Sequence, residues 1–247
     1  MVSILVYHRI GESKGFDLKE YSIPGRVFKK QMRYLKEKGF NSISLKKLFE
    51  FLKTGEPLPK NPIAITFDDG LKETLDNAIP ILEEYGLRAT FFIVSGKTGE
   101  ANDWDKKYKE PPYFLASFDE IKKIKGEMFK FESHSLNHKK LSTVSGEELL
   151  KEIVFSKQIL EANLGKDISF FSYPYGKYGE EIKKIVKEAG YLAAFSVNQG
   201  KVRPGDDLFE LKRVEIFRSD GFLRFLFKVK RGICIKKYFK NLILRKS

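Results

Sequence analysis

Ile63-Ala-Ile-Thr-Phe-Asp-Asp-Gly70 opens as a short apolar run rich in β-branched and aromatic residues and closes on two adjacent carboxylates and a glycine. Its length and composition are those of a buried strand, and the glycine marks where the strand stops. Similar runs recur along the chain. Val2 to Tyr7, Thr90 to Val94, Met128 to Phe131, Ile168 to Ser172, Leu192 to Val197 and Val214 to Phe217 read the same way. Between them, Phe28 to Lys38, Leu71 to Tyr85, Gly146 to Leu164 and Glu180 to Glu188 have the apolar spacing of amphipathic helices. Gly39, Gly86, Gly165 and Gly190 stand where a left-handed C-terminal cap is wanted. Strands that alternate with helices pair in parallel. In a chain of 247 residues they predict one α/β domain, a distorted or incomplete (β/α) barrel of about seven parallel strands.

The carboxyl ends of strands are where parallel α/β folds build their sites. Asp68 and Asp69 occupy such an end, and two neighbouring acids there can divide metal binding and proton transfer between them. They are equally compatible with opening the next helix, where the dipole favours acids. Glu132-Ser-His-Ser-Leu-Asn-His138 follows another strand and holds two of the chain's three histidines. Their four-residue separation lets both imidazoles reach one ion at roughly 2.0–2.1 Å. Two histidines with one carboxylate leave positions open for water and substrate, the pattern of a catalytic metal rather than a structural one. The bland alternative is a pair of exposed loop histidines.

Composition narrows the classes. A single cysteine, Cys234, excludes an internal disulfide framework and any cysteine-rich zinc cluster. No secretory signal and no membrane span is read from the sequence, so a cytoplasmic location is expected. The net charge of +13 belongs mostly to the C-terminus: Phe222 to Ser247 holds nine Lys or Arg and no acid, leaving 37 basic against 33 acidic residues elsewhere. A nucleic-acid partner is therefore not expected from overall charge. The apolar positions Phe222, Leu226 and Val229, then Ile235, Phe239 and Leu242, recur at helical spacing with Gly232 between the two groups. The barrel is expected over residues 1–231, with a basic amphipathic tail over 232–247. Peripheral contact of that tail with the inner face of an anionic membrane is one expectation, and packing of its first part on the barrel is the other.

Thr66-Phe-Asp-Asp-Gly70 and Ser133-His-Ser-Leu-Asn-His138 together resemble the paired motifs of the polysaccharide deacetylases, carbohydrate esterase family four. Phe171-Ser-Tyr-Pro-Tyr-Gly176 is similar to that family's third motif, and Ile81 to Phe92 to its helix-to-strand passage. The resemblance runs from about Ser3 to Arg231. It implies a metal-dependent hydrolase that removes N-acetyl groups from an N-acetylated sugar or polysaccharide. The implied metal ligands are Asp69, His134 and His138, with Asp68 as general base. The implied metal is divalent, zinc first, with cobalt or nickel as alternatives. The metal would polarise the amide oxygen and acidify a water, and the oxyanion would rest partly on the Tyr175 N–H. Tyr173, Pro174 and Trp104 are candidates for the sugar-binding wall, with core packing an equal alternative for Tyr173.

Two departures matter. No histidine follows His138, although the common pattern carries its general acid near the C-terminus. Leu5-Val-Tyr-His8 is instead similar to a circularly permuted branch that includes biofilm poly-N-acetylglucosamine deacetylases, and this passes the acid role to His8. Ser172 stands where many members have an arginine that orients the base, and Arg213 is the candidate replacement. An amidase acting on a small non-sugar amide, or a glycan-binding protein that has lost turnover, remains open at this level.

Overall fold

The strand runs become β1 (Ser3–Tyr7), β2 (Arg9–Ile10), β3 (Ser22–Ile23), β4 (Asn41–Ser42), β5 (Pro62–Phe67), β6 (Ala89–Ile93), β7 (Phe129–Ser133), β8 (Phe170–Ser172), β9 (Ala193–Phe195) and β10 (Val214–Glu215). The computed structural model describes residues 1–13, 15, 18–105 and 111–235. Seven strands lie side by side in the order β10-β1-β5-β6-β7-β8-β9, every neighbouring pair parallel. β4 pairs with the first two residues of β5, and β2 and β3 form a separate small parallel pair. β9 and β10 are joined through the segment entering β10. Leu211 N–H donates to the Ala194 carbonyl (2.9 Å), Ser196 N–H to the Leu211 carbonyl (2.9 Å) and Arg213 N–H to the Asn198 carbonyl (3.1 Å). All seven sequence-predicted strands are present, curled into a distorted barrel.

The helices are α1 (Gly25–Glu37), α2 (Leu45–Thr54), α3 (Lys72–Glu84), α4 (Phe118–Lys123), α5 (Gly146–Leu150), α6 (Ser156–Leu164), α7 (Glu180–Glu188) and α8 (Gly221–Arg231). The four expected cap glycines have φ between 62° and 82°. The helix expected over Gly146 to Leu164 is broken by a π-turn at Lys151–Phe155. α2 has no counterpart in the sequence reading. Its buried face covers the barrel interior: Leu45, Leu48 and Leu52 pack with the inward-facing Ile4, Ala64, Phe92, Phe170 and Phe195. Outward-facing strand residues such as Leu5, Ile65, Phe67, Phe91 and Phe171 form a second core with the surrounding helices. This alternation follows from the two-residue period of a strand and sets which side chains look into the barrel.

α8 lies on β1, with Phe225 and Val229 buried and the Ser3 hydroxyl donating to the Val229 carbonyl (3.0 Å). It ends at Gly232, in the left-handed region (φ 74°). Residues 236–247, most of the basic tail, lie outside the described residues. Among the described residues no helix is long and apolar enough to cross a membrane.

Glu132 is a buried acid inside the barrel. Its Oε2 accepts the N–H groups of Ser169 (2.9 Å) and Phe170 (2.8 Å), holding the start of β8 to β7. Burial pushes its pKa from 4.5 to about 8, more than those two hydrogen bonds lower it. The folded chain therefore holds a proton there that the unfolded chain releases. The resulting stabilisation is complete below pH 4.5 and is lost as pH rises through about 8. Glu132→Gln keeps an acceptor oxygen and removes the titration. Thermal melts from pH 5 to pH 9 should show the variant gaining on the parent as pH rises, whereas parallel curves would contradict this account.

Candidate active site

Strand alternation brings the chemistry to one end of the barrel. In β5, Ala64 and Thr66 face inward, so Asp68, the next residue of that parity, also faces inward at the carboxyl end. β1, β7 and β8 deliver His8, His134 and Ser172 by the same rule, and the segment entering β10 delivers Arg213.

Asp69 follows at the tip of β5, with His134 just beyond β7 and His138 four residues further along the loop. Asp69 Oδ1 lies 3.5 Å from His134 Nε2 and 3.3 Å from His138 Nε2. One ligand atom from each residue falls within 4.8 Å of the others, the one such metal-ready cluster found among the described residues. His134 Nδ1 is 2.8 Å from the Ser172 carbonyl. A proton on that nitrogen leaves the Nε2 lone pair aimed at the centre of the trio, the tautomer a metal requires. Lone pairs from two rings and a carboxylate converging on one point repel each other unless a cation or proton lies between them. The three side chains thus fit a divalent metal.

Asp68 is held differently. Its carboxylate takes both terminal nitrogens of Arg213, Nη1 to Oδ1 at 2.7 Å and Nη2 to Oδ2 at 2.6 Å. The Ser172 hydroxyl accepts from Arg213 Nη2 (2.8 Å) and donates to Asp68 Oδ2 (3.1 Å). Arg213 Nε donates to the Ser196 carbonyl (2.9 Å), and the guanidinium is fully buried. A bidentate pair of this kind fixes the carboxylate plane. Burial pushes the Asp68 carboxyl up, but the charges of Arg213 and His134 outweigh it and hold the group below its ordinary value. Asp69 is held well below the ordinary value, because hydrogen bonds to His134 and His138 outweigh its burial. Arg213 thus supplies, from the segment entering β10, the guanidinium that Ser172 cannot.

Backbone strain collects here. Asp69 (φ 74°), Ser135 (φ 66°), His138 (φ 57°) and Tyr175 (φ 58°) are four of the five described non-glycine residues in the left-handed region. Each costs of order 1–3 kcal/mol, held only where the surroundings enforce it. At Tyr175 the enforcement is visible in its neighbour. A Cβ on Gly176 would lie 2.8 Å from the Val197 nitrogen, so only glycine lets the loop sit this close to the end of β9.

The cleft above these groups is lined by His8, Trp104, Tyr175, Tyr113, Arg9 and Glu215, among others. The His138 ring has Trp104 at 4.4 Å and the 45% exposed Tyr175 at 4.7 Å between centroids. His8 lines the cleft with its ring edge-on to Tyr21 at 5.0 Å. Thr74 fixes the backbone there, its hydroxyl donating to the His8 carbonyl (3.1 Å) and accepting from Ile10 N–H (3.2 Å). Two expected wall residues do not reach the cleft. Tyr173 is fully buried, stacks on Tyr178 and donates its hydroxyl to the Phe209 carbonyl (2.8 Å), and Pro174 is buried beside it. Ser172 faces inward, so its neighbour Tyr173 must face the outer core. Glu215 was missed by sequence reading. It pairs in register with Val6 and lines the cleft, and burial raises its carboxyl against the opposing charge of His8.

Residues 55–194, more than half of the chain, match the family model of the polysaccharide deacetylases. The chain belongs to the polysaccharide deacetylase family and is an enzyme of that class. It is 29% identical over 238 residues to the poly-beta-1,6-N-acetyl-D-glucosamine N-deacetylase of Staphylococcus aureus, covering 88% of this chain and 79% of the relative. The fold is similar to that of the Streptococcus pyogenes deacetylase PplD, with a TM-score of 0.80 at 23% identity over 92% of this chain and 97% of the other. IcaB from Ammonifex degensii has a TM-score of 0.76 at 23% identity, over 89% and 93% of the two chains.

Proposed function

We propose that the protein hydrolyses the N-acetyl groups of an N-acetylglucosamine-containing polysaccharide, with Asp69, His134 and His138 holding a divalent metal, zinc first and cobalt or nickel as alternatives. The carrying observation is the convergence of two histidine Nε2 atoms on one Asp69 oxygen beside a second carboxylate held away from it by Arg213. The substrate class follows the family and the S. aureus relative.

An amide resists water, so attack, oxyanion and leaving group each need help. When bound, the metal would polarise the acetyl carbonyl and make a water acidic enough to attack near neutral pH. Asp68 accepts the proton of that water. The Arg213 pair keeps it ionised and fixed in plane, and Oδ1, which accepts from Arg213 Nη1, keeps a second lone pair for that proton because Asp69 carries the ligand role. The Tyr175 N–H, set by its left-handed backbone, donates to the developing oxyanion. His8 protonates the departing amine, which is too basic to leave as an anion. Trp104 and Tyr175 offer flat apolar faces beside His138 on which a sugar ring can stack.

The acid role of His8 is separable from the rest. His8→Ala should retain metal but lose roughly 10²–10⁴-fold in kcat on N-acetylated sugars, the usual scale for a positioned proton donor. Activated acetate esters, whose leaving groups depart unprotonated, should be hydrolysed almost as fast as by the parent. Equal losses on both substrate types would remove His8 from that role.

A further inference from the structure

The loop between the two histidines is held by a helix that touches neither of them. Leu136 N–H donates to the Glu152 carbonyl (3.0 Å). Asn137 N–H donates to Glu152 Oε2 and its side-chain amide to Glu152 Oε1, both at 2.9 Å. One residue thus grips two consecutive loop residues through three hydrogen bonds, and it is 1% exposed. Further bonds complete the hold. His134 N–H donates to the Ile93 carbonyl (2.8 Å), Gly96 N–H to the Leu136 carbonyl (2.8 Å) and His138 N–H to the Ser135 hydroxyl (3.0 Å). A Cβ on Gly96 would lie 2.7 Å from the Leu136 carbonyl oxygen, so the loop is also pressed against β6's exit.

The π-turn explains how a helix can offer these groups. A helix interior commits its carbonyls to its own i→i+4 ladder and seldom offers them to another segment. A π-turn widens the ring by one residue and interrupts that ladder, and such turns concentrate at functional sites. Two successive carbonyls in Lys151–Phe155 find partners outside the helix: Glu152 O takes the Leu136 N–H, and Ile153 O takes the Tyr191 hydroxyl (3.1 Å). Ser156, four residues after Glu152, meets the hydroxyls of Ser133 (2.6 Å) and Ser95 (3.2 Å), docking the same helix face on β7 and on the turn that follows β6.

We propose that Glu152 is a positioning residue of the metal centre, its π-turn carbonyl and carboxylate holding Leu136 and Asn137 so that His138 is kept in its left-handed conformation opposite Asp69. It touches no ligand atom and acts only through the loop backbone. The inference rests on the reading of Asp69, His134 and His138 as metal ligands. Groups that orient metal ligands from behind cost 10–100-fold in metal affinity, order of magnitude, when removed.

The test compares the full-length parent with Glu152→Ala, Glu152→Gln and Asn137→Ala. Zn²⁺ affinity is measured by chelator competition, the visible spectrum of the Co²⁺ form is recorded, and folding is checked by circular dichroism without metal. Glu152→Ala is expected to fold, to bind Zn²⁺ about 10–100-fold more weakly and to show an altered Co²⁺ spectrum. Glu152→Gln is expected to fall between it and the parent, because its amide group presents an N–H to the Asn137 amide where an acceptor stood. A purely structural role would lower the melting temperature and leave affinity and spectrum alone, and that result overturns the proposal. Should Glu152→Ala not fold, Asn137→Ala decides. It breaks only the side-chain contact and should still weaken Zn²⁺ several-fold with a shifted Co²⁺ spectrum, and parent-like values overturn the proposal. If the parent itself binds neither Zn²⁺ nor Co²⁺, the ligand reading fails and the proposal fails with it, an outcome distinct from tight binding in every variant.

Discussion

Asp69→Ala, His134→Ala and His138→Ala should each leave a folded protein that retains almost no metal after dialysis and releases no measurable acetate. On the proposed reading each supplies one of three protein ligands, and losing one leaves too few donors for a tightly held divalent ion. The folded state should survive, because the three side chains sit at the carboxyl end of the barrel and not in its apolar core. Elemental analysis and an acetate-release assay on the same samples read both effects. Full metal retention by His138→Ala would remove it from the ligand set.

The second large effect belongs to the Asp68–Arg213 pair. Both side chains are essentially buried and joined by two short hydrogen bonds. Arg213→Met strands a carboxylate in the barrel, and breaking a buried pair from one side costs about 3–5 kcal/mol. Asp68 should respond by taking up a proton, so the variant should be both less stable and inactive near neutral pH. Asp68→Asn should bind metal and lose roughly 10²–10⁴-fold in kcat, the range for a positioned proton acceptor. Denaturant unfolding with metal analysis separates the two variants. An Asp68→Asn protein that loses its metal would mean that base and ligand are wrongly divided between the two aspartates.

The site was legible in the sequence where it rides on strand ends. Asp68, Asp69 and His134 directly follow apolar runs that had to be buried strands, so their place at the carboxyl end of the barrel followed from topology. Arg213 was legible as the cation on the strand that would close the barrel beside β1. For Tyr173 the sequence left a sugar-binding wall and core packing equally open, and strand alternation decides for the core: with Ser172 turned inward, its neighbour turns out. α2 was missed because its leucines match the barrel interior, a surface that exists only after the strands have closed. Glu152 and Glu215 were out of reach for another reason. A π-turn leaves no mark in apolar spacing, and the contact of Glu152 with Asn137 spans 15 residues across an intervening turn. Glu215 reaches the cleft only through the pairing of β10 with β1, a contact between the two ends of the domain.

Acetate release from N-acetylglucosamine oligomers, measured before chelation, after chelation and after return of Zn²⁺, tests the central claim most directly. The expected result is about one bound metal per chain, activity abolished by the chelator and restored by the ion, and no restoration in Asp69→Ala. Acetate release that survives complete metal removal, or that persists in Asp69→Ala, would contradict the account.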